Sequence, residues 1–79
     1  MKSKIENKVI GELILTQNSK LLISLNKIKG EYRIDVRLNV NNEKSHGVFF
    51  PTKKGINIPF NKLDELQSIL KELNKYLVQ

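Results

Sequence analysis

Arg33, Asp35 and Arg37 occupy alternate positions of the stretch Tyr32 to Val40, and Lys53 and Lys54 stand side by side before Gly55. Period-two spacing puts Arg33, Asp35 and Arg37 on one face of an extended strand. Two guanidinium groups with lysines nearby suit the binding of phosphate, because arginine's planar fork matches phosphate oxygens better than a point charge does. Asp35 would either space the two cations or ligate a divalent ion. A lone carboxylate makes a poor metal site, so its expected role is as ion-pair partner to those arginines. The competing reading of the whole group is an ordinary solvated, charged face.

Little else in the chain assembles chemistry. The glycines at 11, 30, 47 and 55 lie too far apart for a phosphate-cradling loop, and no Gly-Lys-Ser/Thr follows any of them. His46, the single histidine, sits in a polar loop beside Ser45. A nucleophile with its base is conceivable there, but with no cysteine and no orienting third group a solvated imidazole is the expected reading. The same shortage of ligands argues against a metal centre. No enzymatic activity, cofactor or metal is expected. Phe49 and Phe50 are adjacent, so in a strand they face opposite ways. One of them, with Phe49 the candidate, could stack on a base, a contact worth about 1–3 kcal/mol; the alternative is a ring hidden in a dimer contact.

These groups need strands and turns to position them. Tyr32, Ile34, Val36, Leu38 and Val40 alternate with the charged residues and predict a strand over about 32–40, apolar on one face. A run rich in β-formers predicts another over about 20–29, with Leu21, Ile23 and Leu25 on one face, and the tight Lys29-Gly30-Glu31 junction predicts an antiparallel hairpin. A less regular strand is expected over about 9–16, followed by turn chemistry at Gln17-Asn18-Ser19. The polar segment Asn41 to Gly47 reads as a loop. A fourth strand over about 48–58 contains Pro51 and Gly55, which predict an edge position or a bulge. The period then changes. Leu63, Leu66, Ile69, Leu70, Leu73 and Leu77 form one stripe of a helix over about 61–77, with Asn61 as the expected N-cap and Tyr32 expected in the core.

The 79 residues have room for one α+β domain, a four-stranded antiparallel sheet followed by a C-terminal helix (ββββα). A domain of this size buries only about 60 % of the surface its unfolded chain exposes, and no cysteine staples it, so self-association is expected. Glu12 interrupts the apolar stretch after the basic start, so no signal peptide is expected, and no apolar run reaches the length of a membrane span. The expected location is the cytoplasm, with association with the nucleoid. The formal charge of +6 suggests a polyanionic partner. Its position is more telling: residues 18–59 carry eight lysines and arginines against three carboxylates, a net of +5, whereas residues 60–79 are neutral.

Two stretches resemble a known family. Lys29-Gly-Glu-Tyr-Arg-Ile-Asp-Val-Arg37 is similar to a lysine-glycine turn leading into an Ile-Asp-Ile/Val-Arg strand, and Pro51-Thr-Lys-Lys-Gly-Ile-Asn-Ile58 to a basic Lys-Gly-Ile strand before a helix. In order and spacing these resemble the transcriptional coactivator family of positive cofactor four, in its bacterial or phage form, over about residues 9–77. The resemblance implies homodimers that bind single-stranded DNA with little sequence preference in a curved basic groove. By position it implies Lys29, Arg37, Lys53 and Lys54 as contacts, to which the strand alternation adds Arg33. Ile28 and Val40 stand where eukaryotic members carry aromatic rings, which implies a surface resting more on phosphate contacts than on stacking. An RNA-recognition motif would need a helix between its first two strands, where this chain has a short polar turn. RNA as the bound strand, transcription or replication machinery as partners, and a protein-interaction module whose basic face only aids solubility are the remaining alternatives.

Overall fold

The computed structural model describes residues 7–77. The start from Met1 to Glu6, which bears on the expectation about a signal peptide, lies outside the described residues. Strands β1 (Asn7–Thr16), β2 (Ser19–Ile28), β3 (Glu31–Val40) and β4 (Phe50–Pro59) form one antiparallel sheet in the order β1-β2-β3-β4. Helix α1 (Leu63–Glu72) follows, flanked by 3-10 turns at Phe60–Lys62 and Leu73–Tyr76. The chain thus adopts the expected ββββα order.

The hairpin between β2 and β3 follows from its two loop residues. Ile28 pairs with Glu31, which leaves Lys29 and Gly30 to make the turn, and both have positive φ, 53° and 81°. Positive φ at both central residues is what a type I′ turn requires, and its twist matches that of the strands it joins. Gly30 adopts this conformation at no steric cost, but Lys29 does not. In β1, Ile10 and Leu15 are extra residues against β2, which explains why alternation along this strand is irregular in the sequence.

β4 is an edge strand and carries a bulge, both as expected. Arg37 pairs with Gly55 and Asn39 with Pro51, so Thr52, Lys53 and Lys54 stand opposite Leu38 alone. The strand starts at Phe50 rather than Val48 because the preceding turn reaches further than its composition suggests. His46 and Gly47 both have positive φ, 55° and 82°, and the Val48 amide donates back to the Ser45 carbonyl at 3.0 Å instead of joining the ladder.

Only the start of the helical segment meets the apolar face of the sheet. Phe60 and Leu63 line an apolar cavity with Ile10, Ile23, Leu25 and Ile34, and Ile34 is the buried apolar residue among those described. Tyr32 is not core: it is 37 % exposed. Near the hairpin end of β3 it meets only the edge of the Phe60 ring, centroids 6.4 Å apart, while the Lys27 ammonium lies 5.4 Å from its own centroid. Asn61 is not the N-cap either. Pro59 starts a 3-10 turn that takes in Asn61, so Lys62 stands at the N-cap of α1, with no side-chain cap bond. Asp64 and Glu65 do occupy the first turn, where carboxylates favour the helix dipole. Further along, Ile69, Leu70 and Leu73 are 65 %, 52 % and 58 % exposed. The C-terminal part of the leucine stripe is therefore not core within a single chain. No helix among the described residues is long and apolar enough to cross a membrane.

Candidate nucleic-acid interface

The face opposite the helix is built by register. Arg33, Asp35, Arg37 and Asn39 of β3 stand beside Asn26, Ser24, Leu22 and Lys20 of β2, and beside Pro59, Asn57, Gly55 and Pro51 of β4. Arg33, Asp35 and Arg37 thus share one face, as their spacing predicts, and Asn57 completes a chain between them. The Arg33 Nε donates to Asn57 Oδ1, and Asn57 Nδ2 donates to Asp35 Oδ1 at 3.1 Å. On the other side of Asp35, Arg37 Nη2 donates to Oδ1 at 2.8 Å and Nε to Oδ2 at 3.4 Å. Asp35 is therefore the ion-pair partner of Arg37 and accepts three hydrogen bonds in this network. The bond to Asp35, reinforced by its charge, raises the Arg37 pKa above the ordinary arginine value, so this guanidinium is charged at any working pH.

Arg37 also reaches across the sheet. Its Nη1 donates to the Thr52 carbonyl at 3.4 Å and to the Lys53 carbonyl at 3.3 Å. Within the same bulge, Thr52 Oγ1 donates to the Leu38 carbonyl at 2.8 Å and accepts from the Lys54 amide at 3.1 Å. Gly55 provides the floor beneath the guanidinium. A Cβ there would lie 2.5 Å from the Val36 carbonyl oxygen and 2.9 Å from Arg37 Cζ. Gly55→Ala is accordingly expected to destabilise the fold by about 2–3 kcal/mol, the upper part of the range for overpacking, since one of the opposing atoms is backbone. A fall in the denaturant midpoint at unchanged slope would register this; an unaltered midpoint would show that β4 shifts freely.

Carboxylates on this face are taken up within it. Lys20 lies 2.6 Å from Glu12, Arg33 3.7 Å from Glu31 and Arg37 2.8 Å from Asp35. Lys29, Lys53 and Lys54 are exposed and form no ion pair among the described residues. The predicted cations do not form one cluster. Arg33, Arg37 and the Lys53-Lys54 bulge are neighbours, whereas Lys29 tops the hairpin, seven β3 positions from Leu38 and roughly 23 Å away at strand rise.

Phe49 and Phe50 face opposite ways, as adjacency requires. Phe50 pairs with Val40 on the helix side of the sheet. Phe49 lies on the basic side, with the Lys20 ammonium 4.4 Å from its ring centroid. Ile28 also belongs to the basic side, 45 % exposed, but Val40 does not. Sequence reasoning missed Asn57, Thr52 and the Glu12-Lys20-Phe49 group. Of these only Asn57 left a trace, two positions beyond Gly55 in strand period. The Ser45 hydroxyl donates to the Asn42 carbonyl at 2.9 Å inside a capping box, so it is not directed at His46. Among the described residues no group of three or more His, Cys, Asp or Glu side chains comes together.

No family model and no curated protein matches the chain. Solved structures do. A PC4 homolog from Burkholderia pseudomallei, in an orthorhombic crystal form, superposes with a TM-score of 0.75 at 26 % identity, covering 92 % of this chain and 96 % of that one. A tetragonal form of that homolog gives 0.73 at 28 % identity, covering 87 % and 98 %. This chain has a PC4-like fold. The two stretches that carry the sequence resemblance are, in the PC4-like fold, the β2–β3 hairpin with its basic strand and the bulged strand β4 that pairs with it.

Proposed function

We propose that this PC4-like protein binds single-stranded DNA, with little sequence preference, across the basic face of its sheet, and that it does so as a homodimer within transcription or DNA metabolism. The observation that carries the reading is the pairing of charge. Glu12, Glu31 and Asp35 are each matched by a cation of the same face, and Lys29, Lys53 and Lys54 are left over, exposed and unpaired. Surplus cations on an exposed surface suit a flexible phosphate backbone, which can adapt to their spacing. Lys29 supports the reading independently. A lysine at φ 53° costs about 1 kcal/mol or more relative to asparagine or glycine, and strain kept at an exposed turn points to function.

The homodimer rests on the exposed stripe Ile69, Leu70 and Leu73, which continues the helix face that Leu63 lays on the sheet. A second copy offers the same apolar surface, and burying it would supply the core that one chain lacks. Cytoplasmic location, association with the nucleoid and contact with transcription or replication machinery follow from the same reading.

The test is a titration of labelled single-stranded DNA, single-stranded RNA and duplex DNA at 50 and 200 mM salt, with wild type and Lys29→Asn. Single strands should bind in preference to duplex. The variant should be more stable by about 1 kcal/mol yet bind more weakly, because it relieves the left-handed strain and removes a cation. A duplex preference, or full binding by Lys29→Asn, would overturn the reading; equal affinity for RNA would widen it to single strands of either kind.

A further inference from the structure

We propose that Arg37 is a positioning residue, which holds the Thr52–Lys54 bulge so that Lys53 and Lys54 meet the phosphates, and is not itself a phosphate ligand. This rests on the single-strand reading of the basic face. A guanidinium has five N–H donors. Four of those on Arg37 are directed within the protein, two to the Asp35 carboxylate and one each to the carbonyls of Thr52 and Lys53. A phosphate approaching this group finds one donor left, and it meets a charge already matched by Asp35. The fork that makes arginine suitable for phosphate is closed on the protein's own backbone.

The two carbonyls it holds belong to the bulge, where strand pairing lapses and Thr52, Lys53 and Lys54 stand against a single residue of β3. Without a partner these carbonyls would turn to solvent, and the two lysines would sample many positions instead of one. Gly55 fits the same assignment, since any larger residue would lift Arg37 away from the bulge. Arg33 differs. Its Nε is taken by Asn57 and it has a loose pair with exposed Glu31, so part of its fork stays open.

Lysine at position 37 keeps the charge but cannot serve two carbonyls and a carboxylate from one plane. If Arg37 acts through the bulge, Arg37→Lys and Arg37→Ala lose affinity for single-stranded DNA to a similar extent. The loss stays below about 25-fold at 0.1 M salt, which is the effect of losing both lysine contacts, and the slope of log affinity against log salt is unchanged. In a Lys53→Ala/Lys54→Ala background Arg37→Lys then costs nothing further. Asp35→Ala frees Arg37 and adds a positive charge, yet it also weakens binding. Hydrogen exchange at the Lys54 amide, which is held by Thr52 in the wild type, quickens about tenfold in Arg37→Lys. The assignment is overturned if Arg37→Lys binds like the wild type while Arg37→Ala lowers the slope by about 0.7, if Asp35→Ala binds more tightly, or if Lys54 exchange does not change. Failure of the wild type to bind any single strand would instead remove the functional reading, and the exchange measurement would still decide whether Arg37 holds the bulge.

Discussion

Replacing Leu70 and Leu73 together by lysine should turn a dimer into a monomer at micromolar concentration. Leu70 of α1 and Leu73, at its C-cap, are three residues apart on one side of the helical segment and are 52 % and 58 % exposed in the single chain. Fully burying a leucine contributes about 1.5–3 kcal/mol. Since these side chains are already half covered, about 1 kcal/mol each is a fair share, and a symmetric dimer buries four of them. The expected loss is therefore roughly 4 kcal/mol before any charge repulsion, close to a thousandfold in the dissociation constant. Leu63 remains in place, so the start of the helix keeps its contact with the apolar face of the sheet, and the monomer should retain strand signal in circular dichroism. Sedimentation equilibrium of the wild type and the variant is the measurement. An unchanged mass in the variant, or a monomeric wild type at these concentrations, would refute the stripe as the contact between copies.

Removing Lys53 and Lys54 together should change the salt dependence of single-strand binding as well as its strength. On the proposed reading, Lys29, Arg33, Lys53 and Lys54 would give about four phosphate contacts in the wild type, for a slope of log affinity against log salt near 3 in magnitude. With both lysines replaced by alanine the slope should fall to about 1.4 and the affinity at 0.1 M salt by about 25-fold. The proper comparison is Lys62→Ala/Lys71→Ala, which removes the same formal charge from the helix and its preceding turn. If binding depends on the sheet face, the helix variant keeps the wild-type slope. If both variants lose affinity alike, net charge and not the sheet binds the strand.

The features that survive from sequence to structure are those set by neighbouring residues. Alternation over Tyr32 to Val40 puts Arg33, Asp35 and Arg37 on one face wherever the strand lies, because successive side chains point oppositely. A two-residue Lys-Gly connection between β-formers makes a hairpin because glycine accepts the positive φ that the turn needs. The leucine stripe likewise marks a helix whatever it packs against. The same logic fails where the outcome depends on what faces a residue. Tyr32 has the right parity for the core but lies at the sheet margin, and the end of the leucine stripe stays exposed in the single chain.

Register and the bulge decided the rest. Which phenylalanine joins the basic face depends on Phe50 pairing with Val40, a match across the sheet that no local pattern specifies. Arg37 looked in sequence like an open phosphate ligand, but folding brings it against carbonyls 15 and 16 residues away and above the one glycine that leaves room for it. Strand periodicity determines the side from which a charge projects. Whether that charge is free depends on the partners that the paired strands place within about 3 Å of it, because a hydrogen bond already made within the protein must be broken before a ligand can take its place.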